Sequence, residues 1–139
     1  MLRHVKRMPR TAGVLVWTAG AVAMGAALIT WALATHYQAA PGGWALDSRL
    51  TPAYLLRRGP YRLSRNPIYA GEALVWLGWA LYYRRPAVWA GLAIQCAALA
   101  TIARWEEQRL LARFGTGYQQ YLKEVPRWAP RSPKRGPDR

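Results

Sequence analysis

Residues 14–34, VLVWTAGAVAMGAALITWALA, carry no charge over 21 consecutive positions. As a helix rising about 1.5 Å per residue, this run crosses a hydrocarbon core of about 30 Å. Two further apolar runs follow, 67–83 with Glu72 as its only charge and 86–103 with none. The Arg84-Arg85 pair between them is short enough to make a hairpin. The expected fold is therefore all-α, a polytopic transmembrane helical protein. It has a basic arm over 1–13, a first span over 14–34, a loop over 35–66 and a transmembrane hairpin over 67–104. An interfacial amphipathic cap helix over 105–125 and a disordered basic tail over 126–139 complete it.

The 20 Lys and Arg outnumber six acids, for a net charge of +14. The basic residues flank apolar spans without interleaved aromatic platforms, so anionic lipid head groups are the expected partner and nucleic acid is not. By segment they number four before the first span, five in 35–66, two at the hairpin turn and nine from Arg104 onward. With three spans, the second and fourth groups share a side. The excess on that side places the 35–66 loop and the C-terminus in the cytoplasm, and the protein in a bacterial inner membrane with its site facing inward. The competing reading, an N-terminal signal peptide cleaved after Ala32-Leu33-Ala34, requires an apolar run shorter than this one.

The lone Cys96 lies mid-span, and His4 and His36 are scattered, so neither a disulfide framework, a metal site nor a catalytic triad is expected.

Polar chemistry concentrates in GPYRLSRNPIYAGE, residues 59–72. Asn66-Pro67 is a helix-start signal, with Asn as cap and Pro at the first helical position. That terminus carries free N–H groups and the positive end of the helix dipole, a seat for a carboxylate or phosphate that Arg62 and Arg65 reinforce. Tyr69 and Glu72 continue on one helical face. An ionisable Glu72 within a span is a functional candidate by default.

The two-residue turn makes the second and third spans antiparallel, pairing Tyr83 with Pro86, Asn66 with Ala103 and Leu63 with Glu106 by count. ARWEEQRLLARFG, residues 103–115, thus returns Glu106 and Glu107 to the membrane face where Asn66, Tyr69 and the arginines stand. Arg109 and Arg113 follow Glu106 at i+3 and i+7 and are expected to hold it as an ion pair, whereas Glu107 falls on the stripe of Leu110, Leu111 and Phe114. Gly115 and Gly117 are expected to break the cap helix midway.

These two blocks, GPYRLSRNPIYAGEALVWLGWAL and ARWEEQRLLARFGTGYQQYLKEVPRWAP, resemble the isoprenylcysteine carboxyl methyltransferase and phospholipid methyltransferase superfamily, integral-membrane enzymes that use S-adenosylmethionine. The similarity spans about residues 50–130, with the blocks in the superfamily's order and spacing. It implies a methyltransferase acting on a lipid or other hydrophobic acceptor. Arg65, Asn66, Pro67, Tyr69 and Gly71 match the cofactor-binding motif, and Glu106 and Glu107 match its paired-acid block. Glu72 is then a base for an amine acceptor, and Arg62 a partner for a carboxylate acceptor. Many bacterial members have His where this chain has Asn66, and relatives commonly have two or more spans before the motif where this chain has one. The resemblance accordingly implies either a second protomer supplying the missing helix, as a homo-oligomer, or a true start further upstream. Rival readings are a nicotinamide-dependent membrane reductase resembling the sterol and steroid reductases, and a non-catalytic interaction subunit.

Overall fold

Pro67 and Pro86 each occupy the first turn of a helix, where a missing N–H costs no intrahelical bond. In the computed structural model, which describes residues 11–39 and 54–130, these helices are Pro67–Tyr83 and Pro86–Phe114. Numbering in chain order, α1 is Ala12–Ala39, α2 and α3 are these two, and α4 is Thr116–Glu124. A short 3-10 turn, Gly59–Arg62, precedes α2. Among the described residues there is no strand.

Two helices, α1 and α3, are long and apolar enough to cross a membrane. Their faces carry large apolar side chains in the open, Trp17 at 73% and Ile94 at 71% exposure. Lipid is the solvent in which such a surface carries no hydrophobic cost.

α2 lies between α1 and α3 and packs more extensively on α1. Small residues allow that approach: a Cβ on Gly25 would sit 2.5 Å from the Gly71 carbonyl oxygen, and one on Gly78 would sit 2.5 Å from Val22 Cγ2. The contacts pair low α1 numbers with high α2 numbers, so the two helices run antiparallel. The C-terminal end of α1 and the start of α2 share one end of the bundle, and Gly59 there stands against Thr35.

The hairpin turns at Arg84, whose backbone is left-handed with φ 52° and whose N–H closes α2 on the Ala80 carbonyl. Side chains meet about two residues off the expected register. Glu72 accepts a hydrogen bond from Gln95 at 3.3 Å, where the count indicated Ala97. A Cβ on Gly91 would likewise meet Trp76 at 3.1 Å.

Three boundaries differ from expectation. α1 continues through His36 to Ala39, because nothing in 35–39 is a breaker. The segment 105–114 belongs to α3, so the cap is not one helix over 105–125. The break falls at Gly115 alone, with φ 54° and ψ −125°, a conformation open essentially to glycine, while Gly117 lies inside α4.

Residues 126–130 are also not a free tail. The Arg65 N–H donates to the Pro126 carbonyl at 3.0 Å, and Ser64 Oγ donates to the Arg127 carbonyl at 2.9 Å. Expectations for 1–10, 40–53 and 131–139 fall outside the described residues.

Candidate active site

α4 folds back under the start of α2. Tyr118 and Tyr121, at 1% and 3% exposure, form a buried cluster with Val125. Leu55, Leu110, Leu111, Phe114 and Leu122 pack around it. Tyr121 reaches out of this cluster, its hydroxyl donating to the Tyr61 carbonyl at 2.7 Å. Above it opens a cavity of about 170 Å³. It is walled by the end of α1, the 54–61 segment, the start of α2, the 106–110 stretch of α3, and α4.

Of the residues singled out in the sequence, Arg65, Asn66, Pro67, Tyr69, Glu106 and Glu107 all line this cavity. The Tyr69 hydroxyl donates to Glu106 Oε1 at 2.9 Å, joining the two blocks across 37 positions. Arg62, Gly71 and Glu72 stand elsewhere. Arg62 is exposed at the end of the 3-10 turn. Gly71 is buried against α1, where a Cβ would lie 2.6 Å from Ile29. Glu72 faces Gln95 between α2 and α3.

The neighbouring acids have different partners. Arg65 Nη1 lies 3.1 Å from Glu107, and Arg127 grips both oxygens of Glu107 at 3.0 and 2.7 Å. Such a fork-to-fork pair is the strongest geometry available to a guanidinium. This carboxylate raises the pKa of Arg127 above its ordinary value, chiefly through the hydrogen bond. Glu106 is held by Tyr69. Of the arginines expected to hold Glu106, the Arg109 guanidinium lies over the Trp105 ring at 4.4 Å and that of Arg113 lies over Phe114 at 5.7 Å. Tyr69 is thus the hydrogen-bonding partner of Glu106, while Arg109 acts on it through its charge.

Asn66 also departs from expectation. It precedes α2, but its side chain makes no capping bond; its N–H instead donates to Ser64 Oγ at 3.1 Å and its Nδ2 donates to the Arg127 carbonyl at 3.4 Å. The first N–H groups of α2 are left without a side-chain cap at the cavity edge. Arg65 Nε, buried, has no hydrogen-bond partner.

Sequence reading missed four tyrosines, Tyr54 among them, and a histidine. Tyr61 and Tyr121 line the cavity, as does Tyr118, whose hydroxyl pKa is pushed up to about 12, first by burial and next by Glu107 nearby. His36 lines it too, with Nδ1 3.0 Å from the Tyr54 hydroxyl and Nε2 2.7 Å from that of Tyr61. No sequence signal marks His36, because the 18 and 25 residues separating it from these tyrosines correspond to no local period.

Neither the curated proteins nor the solved structures contain a match to the chain. The family model described as phospholipid methyltransferase matches residues 15–117, from the first turn of α1 into α4, and takes in the whole first block and the second as far as Gly117, Tyr69 and Glu106 among them. With about three quarters of its length inside that match, the chain belongs to the phospholipid methyltransferase family.

Proposed function

We propose that the protein is a three-span integral-membrane methyltransferase that uses S-adenosylmethionine and a lipid or other hydrophobic acceptor, with the cavity at the α2 start as its active site. The observation that carries this reading is the Tyr69–Glu106 hydrogen bond, which gathers both blocks onto one cavity at the end of apolar helices.

The donor set fits such a cofactor. S-adenosylmethionine supplies, when bound, a methyl group activated by a sulfonium. It also presents an ammonium, a carboxylate and a ribose for recognition. Glu106, whose other oxygen is left over from the Tyr69 bond, is the carboxylate for a positive group or a ribose hydroxyl. Arg65 Nε and the uncapped N–H groups of α2 are the donors for a carboxylate. Glu107 acts on the site indirectly, by fixing Arg65. Alignment of acceptor and donor is the main demand of a methyl displacement, and a cavity closed by two packed tyrosines supports that demand. Arg62 and Glu72, outside the cavity wall, are assigned to the acceptor side, with Arg62 as cationic partner of an anionic head group.

In this reading α2, 17 residues of apolar helix, is the middle span, and the cavity faces the cytoplasm. Calorimetry on the detergent-solubilised protein tests the cofactor. S-adenosylmethionine and its demethylated product are expected to bind and NADPH to bind poorly; tight NADPH binding alone would replace this reading with a reductase. Reporter fusions after residues 60 and 130 are both expected to read cytoplasmic. Lipid profiling of cells with and without the gene identifies the acceptor.

A further inference from the structure

His36 belongs to no block that the family resemblance draws on, yet it sits in the cavity wall between two hydroxyls. A neutral imidazole has one N–H and one bare nitrogen, so one tyrosine must accept from it and the other must donate to it. A second acceptor within reach of Tyr54 favours the tautomer with Nδ1 protonated. The Tyr54 hydroxyl donates its single proton toward the His36 carbonyl oxygen, at 3.4 Å. Its oxygen is then the acceptor for His36 Nδ1–H at 3.0 Å. In that tautomer Nε2 is the bare nitrogen, and the 2.7 Å contact is Tyr61 donating to it. Tyr61 is held from behind, its carbonyl taking the Tyr121 hydroxyl at 2.7 Å. Burial raises the phenol pKa of Tyr61 well above its ordinary value, so the phenol does not ionise by itself near neutral pH.

We propose that Tyr61 and His36 form a proton relay that deprotonates the methyl acceptor, with Tyr61 touching the acceptor and His36 receiving the proton through it. This rests on the methyltransferase reading above and assigns it an acceptor whose attacking atom carries a proton. The X–H bond of the acceptor breaks and its proton bonds to Tyr61 Oη. In the same movement the Tyr61 O–H proton bonds to His36 Nε2. The lone pair on X is freed for methylation, and His36 carries one positive charge as imidazolium until it releases a proton to water. Tyr54 keeps Nδ1–H occupied, so the proton has a single nitrogen to reach. No oxidant or metal enters the balance.

The test uses the full chain in lipid nanodiscs. The sequence has only two histidines, so His4→Asn leaves one imidazole. Its nitrogen-15 spectrum is expected to show Nδ1 protonated and Nε2 bare, with the Nε2 resonance shifting in Tyr61→Phe as the hydrogen bond is lost. The opposite tautomer overturns the relay whatever the enzyme does. Methyl transfer to a short-chain phospholipid carrying a primary amine is expected to fall about 100-fold in Tyr61→Phe, the scale of general base catalysis. Cofactor binding and thermal melt are expected to stay at wild-type values in that variant. Undiminished transfer in Tyr61→Phe overturns the relay alone. A wild-type protein that neither binds S-adenosylmethionine nor methylates any acceptor overturns the methyltransferase reading and the relay with it.

Discussion

Arg127 Nε and Nη2 lie 3.0 and 2.7 Å from the two carboxylate oxygens of Glu107, closing the C-terminal segment over the start of α2. The same carboxylate meets Arg65, itself only 11% exposed, from the other side. One acid therefore clasps two cations from segments about 60 residues apart, and removing it leaves Arg65 charged and without that partner.

Glu107→Gln and Glu106→Gln are expected to fail differently. Breaking a fully buried pair from one side costs about 3–5 kcal/mol, and this pair is partly buried, so Glu107→Gln is expected to lower the thermal melt by less than that full cost but measurably. Glu106→Gln is expected to melt near wild type and to weaken cofactor binding over tenfold, from loss of a charge-assisted contact of about 1.5–3 kcal/mol. Melts and titrations of both variants check this; equal melts would deny the clasp.

Gly115 and Gly117 give a second contrast. A Cβ meets nothing within 4 Å at either, so sterics with neighbours play no part. Gly115 holds φ 54° and ψ −125°, where a side chain costs about 1–3 kcal/mol, and Gly115→Ala is expected to destabilise by that amount. Gly117 is inside α4, where alanine is favoured over glycine by up to about 1 kcal/mol, and Gly117→Ala is expected to be neutral or mildly stabilising. Urea or thermal denaturation in mild detergent reads both.

Gly25→Ala is expected to push α1 off α2, because its Cβ would lie 2.5 Å from backbone at Gly71 and backbone does not yield cheaply. Gly20, with nothing within 4 Å, is the control and is expected to accept alanine unchanged. The Gly25 variant is expected to lose both melting temperature and the His36 signature, since His36 reaches the cavity only through the seating of α1.

Alkaline pH is expected to unlock α4. Tyr118 has its pKa raised from 10.0 to about 12 in the folded protein, and Tyr121 is raised as well, burial being the first cause in both. The stability they contribute is fully present below the unfolded value near 10 and is lost as pH rises through the folded value. The melting temperature is therefore expected to be flat in this respect between pH 7 and 9 and to fall above about 10. Tyr118→Phe is expected to shallow that fall.

Much of this protein was legible in local pattern. Uncharged runs mark α1 and α3 as long enough to cross a membrane, Pro67 and Pro86 mark where two helices begin, and Arg84-Arg85 folds one against the other. The same count returned Glu106 to the end of the bundle where Tyr69 stands, because hairpin geometry is a nearest-neighbour property. What depended on rotation about a helix axis was not legible. Successive residues point about 100° apart, and a register about two residues off moves a side chain through half a turn. Only the packed structure decided that Glu107 faces Arg65 and Arg127 while Glu106 faces Tyr69. The docking of 126–130 and the place of His36 were decided there too. A proline-rich basic segment reads as solvated until a partly buried carboxylate is found to receive it. A histidine two residues past the expected span end at Ala34 reads as idle until the glycine contacts of α1 with α2 carry it to Tyr54 and Tyr61.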